Sequence, residues 1–217
     1  MVPLLTGNLA GGRIRAVLAA LLLGSSSVIA VRAFAAVEDA SLLQNLVARG
    51  PHPQHAGKLM LFGQFVGDWD LDVTFHQPDG TTRQLTGEWH FGWVLEGRAV
   101  QDVWIVPALK EPRETGQGHV GYGTTIRFYD PRLDAWHVTW NGVMNGSVFR
   151  FLARENGHEI VMEAKEREED GLSRWIFSDV TPRSFRWRSV ASNDGGKTWV
   201  VDQEMAARRR EGPSRAR

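Results

Sequence analysis

The chain has 217 residues, a formal charge of zero, 23 Gly, nine Trp and no Cys. Zero charge removes any global electrostatic case for nucleic acid, and the lack of Cys excludes a disulfide framework, a thiolate zinc site and a cysteine nucleophile. Abundant Gly and a Trp content far above ordinary usage favour many short strands around an aromatic interior, in one domain plus a terminal segment.

Arg13 and Arg15 precede an apolar run from Ala16 to Leu23, and Ala33-Phe34-Ala35 has the small-x-small form of a cleavage site. Residues 1–35 therefore read as an export signal, with a mature chain beginning near Ala36 in the periplasm or outside the cell. The alternative is an amphipathic N-terminal helix on a cytoplasmic protein. Ser25, Ser26, Ser27 and Arg32 interrupt the apolar stretch, so no stable membrane span is expected. Residues 36–66 form a helical lead-in. Val37, Leu42, Leu43, Leu46 and Val47 recur at helical spacing until Gly50-Pro51 stops them. Leu59, Met60, Phe62 and Phe65 predict a second short helix that packs against or plugs the end of a sheet.

From Gly67 onward the pattern is strands and turns. The first strand, Asp68 to His76, alternates: Trp69, Leu71, Val73 and Phe75 on one face, Asp68, Asp70, Asp72 and Thr74 on the other. Such alternation marks one buried and one wet face. Further strands are expected at Arg83–Leu95, Arg98–Val106, His119–Tyr129, Ala135–Asn141, Ser147–Ala153, His158–Lys165, Leu172–Val180, Phe185–Ala191 and Thr198–Met205. Turn signals separate them: Asp79-Gly80, Glu96-Gly97, Asp130-Pro131, Asn145-Gly146, Asn156-Gly157, Asp170-Gly171 and Asp194-Gly195. The connection from Pro107 to Gly118 is out of scale with these hairpins. The strand domain is placed at 67–207, and 208–217 reads as a disordered basic tail.

Ten strands joined by short hairpins make an up-and-down meander, which must curl and close to remove its edges. The expected fold is all-β, a single antiparallel barrel of about ten strands preceded by short helices. Several groups of residues carry a family resemblance: Phe65-Val66-Gly67-Asp68-Trp69, Tyr129-Asp130-Pro131 with Trp136 and Trp140, Arg174-Trp175 with Phe177, Thr181-Pro182 with Phe185-Arg186-Trp187, and Ser192 to Trp199 followed by Met205 to Arg209. In this combination, from about Leu59 to Arg209, the chain resembles a lipocalin-like (calycin) domain family of bacterial proteins. The resemblance implies a barrel with a central cavity and no particular reaction.

Motifs with a chemical reading are few. Ser192 to Trp199 matches the S-x-D-x-G-x-T-W box of sialidase-like propellers, but it occurs once and reads as a hairpin element in which Asp and Thr tie the turn. Gly116-x-Gly118-x-x-Gly121 precedes a strand instead of opening a helix, so it lacks the phosphate-binding geometry. The seven His are scattered, including His52 and His55 in a Pro-rich loop, and no metal site is assigned. The Gly/Trp-rich heme signature of nitrobindin-like barrels is missing, and no cofactor is expected. Glu163 to Asp170 reads as a solvated hairpin tip.

What remains is aromatic residues interleaved with polar ones. A cavity lined by several of Trp89, Trp93, Trp104, Tyr122, Trp136 and Trp140, lidded by Pro107–Gly118, would hold a small apolar molecule. Glu88, His90 and His137 are the candidate acid, base or hydrogen-bond donors of the alternative, a cofactor-independent isomerase or cyclase in the same cavity. The sequence leaves open which face of the later strands is inside.

Overall fold

The computed structural model describes residues 41–109, 118–164 and 171–211. Two short helices, α1 (Ser41–Leu46) and α2 (Ala56–Gly63), precede ten strands: β1 (Gly67–His76), β2 (Thr82–Val94), β3 (Ala99–Val106), β4 (Gly121–Asp130), β5 (Ala135–Gly142), β6 (Ser147–Asn156), β7 (Glu159–Ala164), β8 (Leu172–Ser178), β9 (Ser184–Ser192) and β10 (Val200–Arg209). The chain divides into two compact units. Of the first, Met1–Leu43, only the opening residues of α1 are described; the second begins at Gln44 and holds α2 and every strand. The expected export signal, most of the proposed lid (110–117), the tip of the 163–170 hairpin (165–170) and the end of the tail (212–217) lie outside the described residues.

Every strand pairs antiparallel with its sequence neighbours, and β10 returns to pair with β1, closing the barrel. The expected meander is therefore the observed fold. Closure satisfies both edge strands, the reason a run of ten hairpin-linked strands does not stay open. Trp69, Leu71 and Val73 are buried on the inner face of β1, as its alternation predicts.

One end of the barrel is plugged. Phe62 from α2 and Phe65 just after it enter between the strands. Phe62 meets Trp136 edge-on at 5.0 Å, and Phe65 lies 4.7 Å from Phe177 and 4.9 Å from Phe185. Both phenylalanines are fully buried. The segment before α2 is fastened to the end of β2: Ala48 N–H donates to Trp93 O (2.9 Å) and His52 N–H to Gly97 O (3.0 Å). Gly97 has φ 77°, and a side chain there would strike the Gly50 backbone, so this crossing needs glycine on two counts.

The end of the chain corrects one expectation. β10 runs on to Arg209, so residues 208–210 are fastened and do not begin a fraying tail. Arg208 pairs with Asp72 at 2.8 Å and Arg210 with Asp70 at 2.7 Å, across the outward carboxylates of β1. The acids that look merely wet in the sequence are the partners of the terminal arginines.

Candidate functional site

Strand register decides which side chains face inward. Trp69 pairs with Trp89, and Trp89 with Trp104. Thr125 pairs with Trp140, and Trp140 with Phe149. Directly paired residues share a face, so the inner face passes strand by strand around the barrel to Trp175, Trp187 and Met205.

At the end opposite α2 these residues line an open-mouthed cavity of about 210 Å³. Its wall is a ring of five indoles in edge-to-face succession. Trp104 meets Trp140 at 5.9 Å, Trp140 meets Trp175 at 6.1 Å, Trp175 meets Trp187 at 5.4 Å and Trp187 meets Trp89 at 6.4 Å. The Trp89–Trp104 pairing between β2 and β3 closes the circuit. Edge-to-face pairs of this kind contribute about 0.5–1.5 kcal/mol each beyond area burial. Phe149 and Met205 complete the wall, and Phe75, Val120, Tyr122, Met144 and Gln203 stand at its mouth.

Two glycines of β4 make room for the ring. A Cβ on Gly121 would collide with the Trp104 ring, and one on Gly123 with the Trp140 ring. Each bulky indole thus lies over a position without a side chain, the large-against-small packing that a filled barrel requires.

Beneath the cavity lies a buried ion pair. The Arg127 guanidinium donates from Nη1 to Asp102 Oδ2, and both residues are 1% exposed. Asp102 Oδ1 accepts from the backbone N–H of Thr125 (3.1 Å), a residue of the cavity wall. The guanidinium sits between the rings of Phe62 at 5.2 Å and Phe91 at 5.4 Å. The pair therefore joins the plug to the cavity floor. Sequence reading missed Asp102, although Val100, Asp102 and Trp104 alternate on one face and that alternation carries the aspartate inward.

Trp89, Trp104 and Trp140 from the expected lining form the wall. Tyr122 stands at the rim, stacked on His119 at 5.2 Å. Trp93 and Trp136 are placed elsewhere: Trp93 packs on Gly63 of α2 and Trp136 on Phe62, both at the plugged end. Trp175 and Trp187 complete the ring. Their alternation with Phe177 and Phe185 was visible in the sequence, but their strands could not be aligned with β2 and β3.

The structure does not bring Glu88, His90 and His137 into the cavity. Each immediately precedes or follows an inward tryptophan, so strand alternation turns it outward. Glu88 is buried under the chain beyond β3: it accepts from Leu109 N–H (2.7 Å) and from Arg210 (3.3 Å). His90 bridges Asp68 (2.7 Å) and Glu88 (3.2 Å) on the outer surface. His137 lies 3.3 Å from Asp130, whose carboxyl is held well below the usual carboxylate range, first by the Arg132 side chain. Among the described residues, none that lines the cavity is a carboxylate or an imidazole, and no group of three His, Asp or Glu is placed to share a metal ion.

No family model matches the chain, and no curated protein sequence matches it. Among solved structures, the S-type phycobiliprotein lyase CPES from Guillardia theta is similar over 71% of this chain and 93% of its own, at a TM-score of 0.46 and 12% sequence identity.

Proposed function

We propose that this barrel is a binding module that holds a small, largely apolar ring molecule within its tryptophan ring. The observation that carries the reading is the open-mouthed cavity of about 210 Å³ walled by five indoles. An apolar protein cavity of about 150 Å³ accepts benzene. The present one therefore suits one or two fused rings and is small for a drug-sized ligand. Burial of flat apolar area against indole faces supplies the affinity, and the open mouth supplies the entry path. The isomerase or cyclase alternative gains no support from the described residues of the wall, which include neither a carboxylate nor an imidazole to move a proton.

The test is a panel of one- and two-ring compounds screened by tryptophan fluorescence and thermal melting. A binder is expected to quench the indoles and raise Tm in a concentration-dependent way. Trp140→Ala, which breaches the wall, is expected to abolish both signals. A panel that produces neither signal with the parent protein would overturn the reading.

A further inference from the structure

From the mouth downward, the inward positions of β4 are Gly121, Gly123, Thr125 and Arg127. The charge of Arg127 is met by Asp102, which leaves Thr125 above it as the deepest hydroxyl in the described wall. Thr125 is 1% exposed, and its backbone N–H is held by Asp102 Oδ1 at 3.1 Å. Among the described residues its hydroxyl has no hydrogen-bond partner. The side chain has three heavy atoms, with Oγ1 and Cγ2 on one carbon, so a threonine that lines a cavity brings its hydroxyl to the cavity surface. The other polar side chains of the wall are differently placed. Ser147 pairs with Gly142, which pairs with Gly123, so it stands one inward step nearer the mouth, about 7 Å along the strand. Its Oγ accepts from Trp140 Nε1 (3.2 Å), and Asn145 Oδ1 accepts from Ser147 N–H (3.2 Å). Asn145 is exposed and Gln203 half-buried, both within reach of water at the mouth. A buried hydroxyl without a partner carries a desolvation cost that those groups escape. One water is a poor remedy, because a buried water is held by two to four polar groups and a single hydroxyl is only one.

We infer that Thr125 is the specificity-determining residue of the cavity, and that its ligand is a phenol-like ring that enters hydroxyl end first and hydrogen-bonds to Thr125 at the floor. The inference rests on the binding reading above and adds to it the ligand's polar group and its orientation. A hydroxyl is the group that fits, because the threonine offers both a proton and lone pairs, and a ligand hydroxyl completes the bond in either direction. The Asp102 contact holds the Thr125 backbone in place before the ligand arrives, so little ordering cost falls on the hydrogen bond. A pure hydrocarbon of the same shape fills the tryptophan ring and leaves the hydroxyl unserved. The difference, one hydrogen bond made in a site already desolvated, is worth about fivefold in Kd.

The experiment uses two pairs of probes that exchange a methyl for a hydroxyl, p-xylene with p-cresol and 2-methylnaphthalene with 2-naphthol, on the full chain. Calorimetric titration gives their affinities for the parent protein and for Thr125→Val, which keeps the side-chain shape and deletes the hydroxyl. In the variant the phenols are expected to lose about fivefold in affinity while the hydrocarbons hold within about twofold, so that the coupling between the two hydroxyls is read from the cycle. Thr125→Val itself should melt no lower than the parent, since it removes a buried hydroxyl that nothing serves. A variant that is strongly destabilised or fails to fold would show that the hydroxyl already has a partner, and the inference falls. Orientation is read without any variant, from intermolecular NOEs in the p-cresol complex. The ring protons beside the phenol oxygen should contact the Thr125 methyl, and the cresol methyl should contact Met144 at the mouth. The reverse orientation, or equal loss by phenols and hydrocarbons in Thr125→Val, overturns the inference while the binding reading stands. If none of the four probes binds the parent protein, the binding reading falls and takes this inference with it.

Discussion

The guanidinium of Arg209, the last residue of β10, lies 4.1 Å over the ring of Trp69 at the start of β1. The indole beneath donates its N–H to Phe65 O at 2.7 Å. Arg209 itself donates to Val66 O (2.7 Å), Gln64 O (2.8 Å) and Pro182 O (2.7 Å). One side chain thus ties the closing strand, the plug segment and the β8–β9 connection to the fully buried Trp69. Trp69→Ala is expected to cost about 3–5 kcal/mol, as large aromatic truncations in cores do. Arg209→Ala should cost about 2 kcal/mol from lost stacking and carbonyl contacts. Urea unfolding of the two single variants and the double variant should show a coupling near 1 kcal/mol. Strict additivity would mean that the stacking is incidental.

How much of this was legible in the sequence depends on the length scale of the signal. The strands were, because period-two alternation and turn residues are local. The inward set of β1 followed directly from Trp69, Leu71, Val73 and Phe75. The plug was visible as Phe62 and Phe65 ahead of the first strand. Membership of the tryptophan ring was only half legible, because it depends on the register between strands far apart in the chain. Trp89 and Trp104 could be picked out; Trp93 shares their face but sits four residues along the same strand from Trp89, which puts it at the plugged end. Glu88 and His90 attracted attention as polar neighbours of aromatics, and that adjacency is what turns them outward. Arg208 to Arg210 looked like a tail because their partners, Asp70, Asp72 and the carbonyls near Phe65, lie about 140 residues away.

The Asp102–Arg127 pair yields a second prediction. Taking two charges out of water is costly, and a buried pair repays that cost only through close mutual contact. Removing one partner strands the other. Arg127→Met or Asp102→Leu alone should destabilise by about 3–5 kcal/mol. The combined replacement should recover most of that loss, as apolar substitutes for buried pairs do. Chemical denaturation of the three variants reads this directly. A double variant as unstable as the sum of the singles would mean that the pair is more than self-compensating, with Thr125 and the cavity floor depending on it.

Gly121 offers a handle on the cavity. Its backbone needs no unusual φ, so the constraint is the Trp104 ring lying against it. Gly121→Ala must push that indole into the cavity or distort β4. Overpacking of this kind typically costs about 1–3 kcal/mol. Binding of a ring compound identified by the fluorescence panel is expected to weaken at least tenfold, more than the stability loss alone would cause in a protein that remains folded. Gly92 is the control, because a Cβ there meets nothing within 4 Å; Gly92→Ala should leave binding unchanged. Equal binding by Gly121→Ala and the parent protein would place the ligand away from Trp104.

The hairpin between β9 and β10 gives a pH-dependent prediction. Asp194 accepts from the backbone N–H groups of Lys197 and Thr198, each at 2.9 Å, from the Thr198 hydroxyl at 2.7 Å and from the Ser192 hydroxyl at 2.9 Å. Trp199 closes the turn by donating to Gly196 O (3.1 Å), and Arg174 stacks on its ring at 4.2 Å. These donors, the Thr198 backbone N–H first, favour the ionised carboxylate and lower its pKa from 3.8 to about 2. A depressed carboxylate contributes stability above its unfolded pKa and loses that contribution as pH falls through the folded value. Asp194→Asn keeps the shape and removes the charge. The Tm gap between parent and variant should therefore be constant from neutral pH down to about 5, narrow between about 4 and 2, and close near the lower end. A gap that stays constant across that window would show that turn geometry, and not the ionised carboxylate, holds the hairpin.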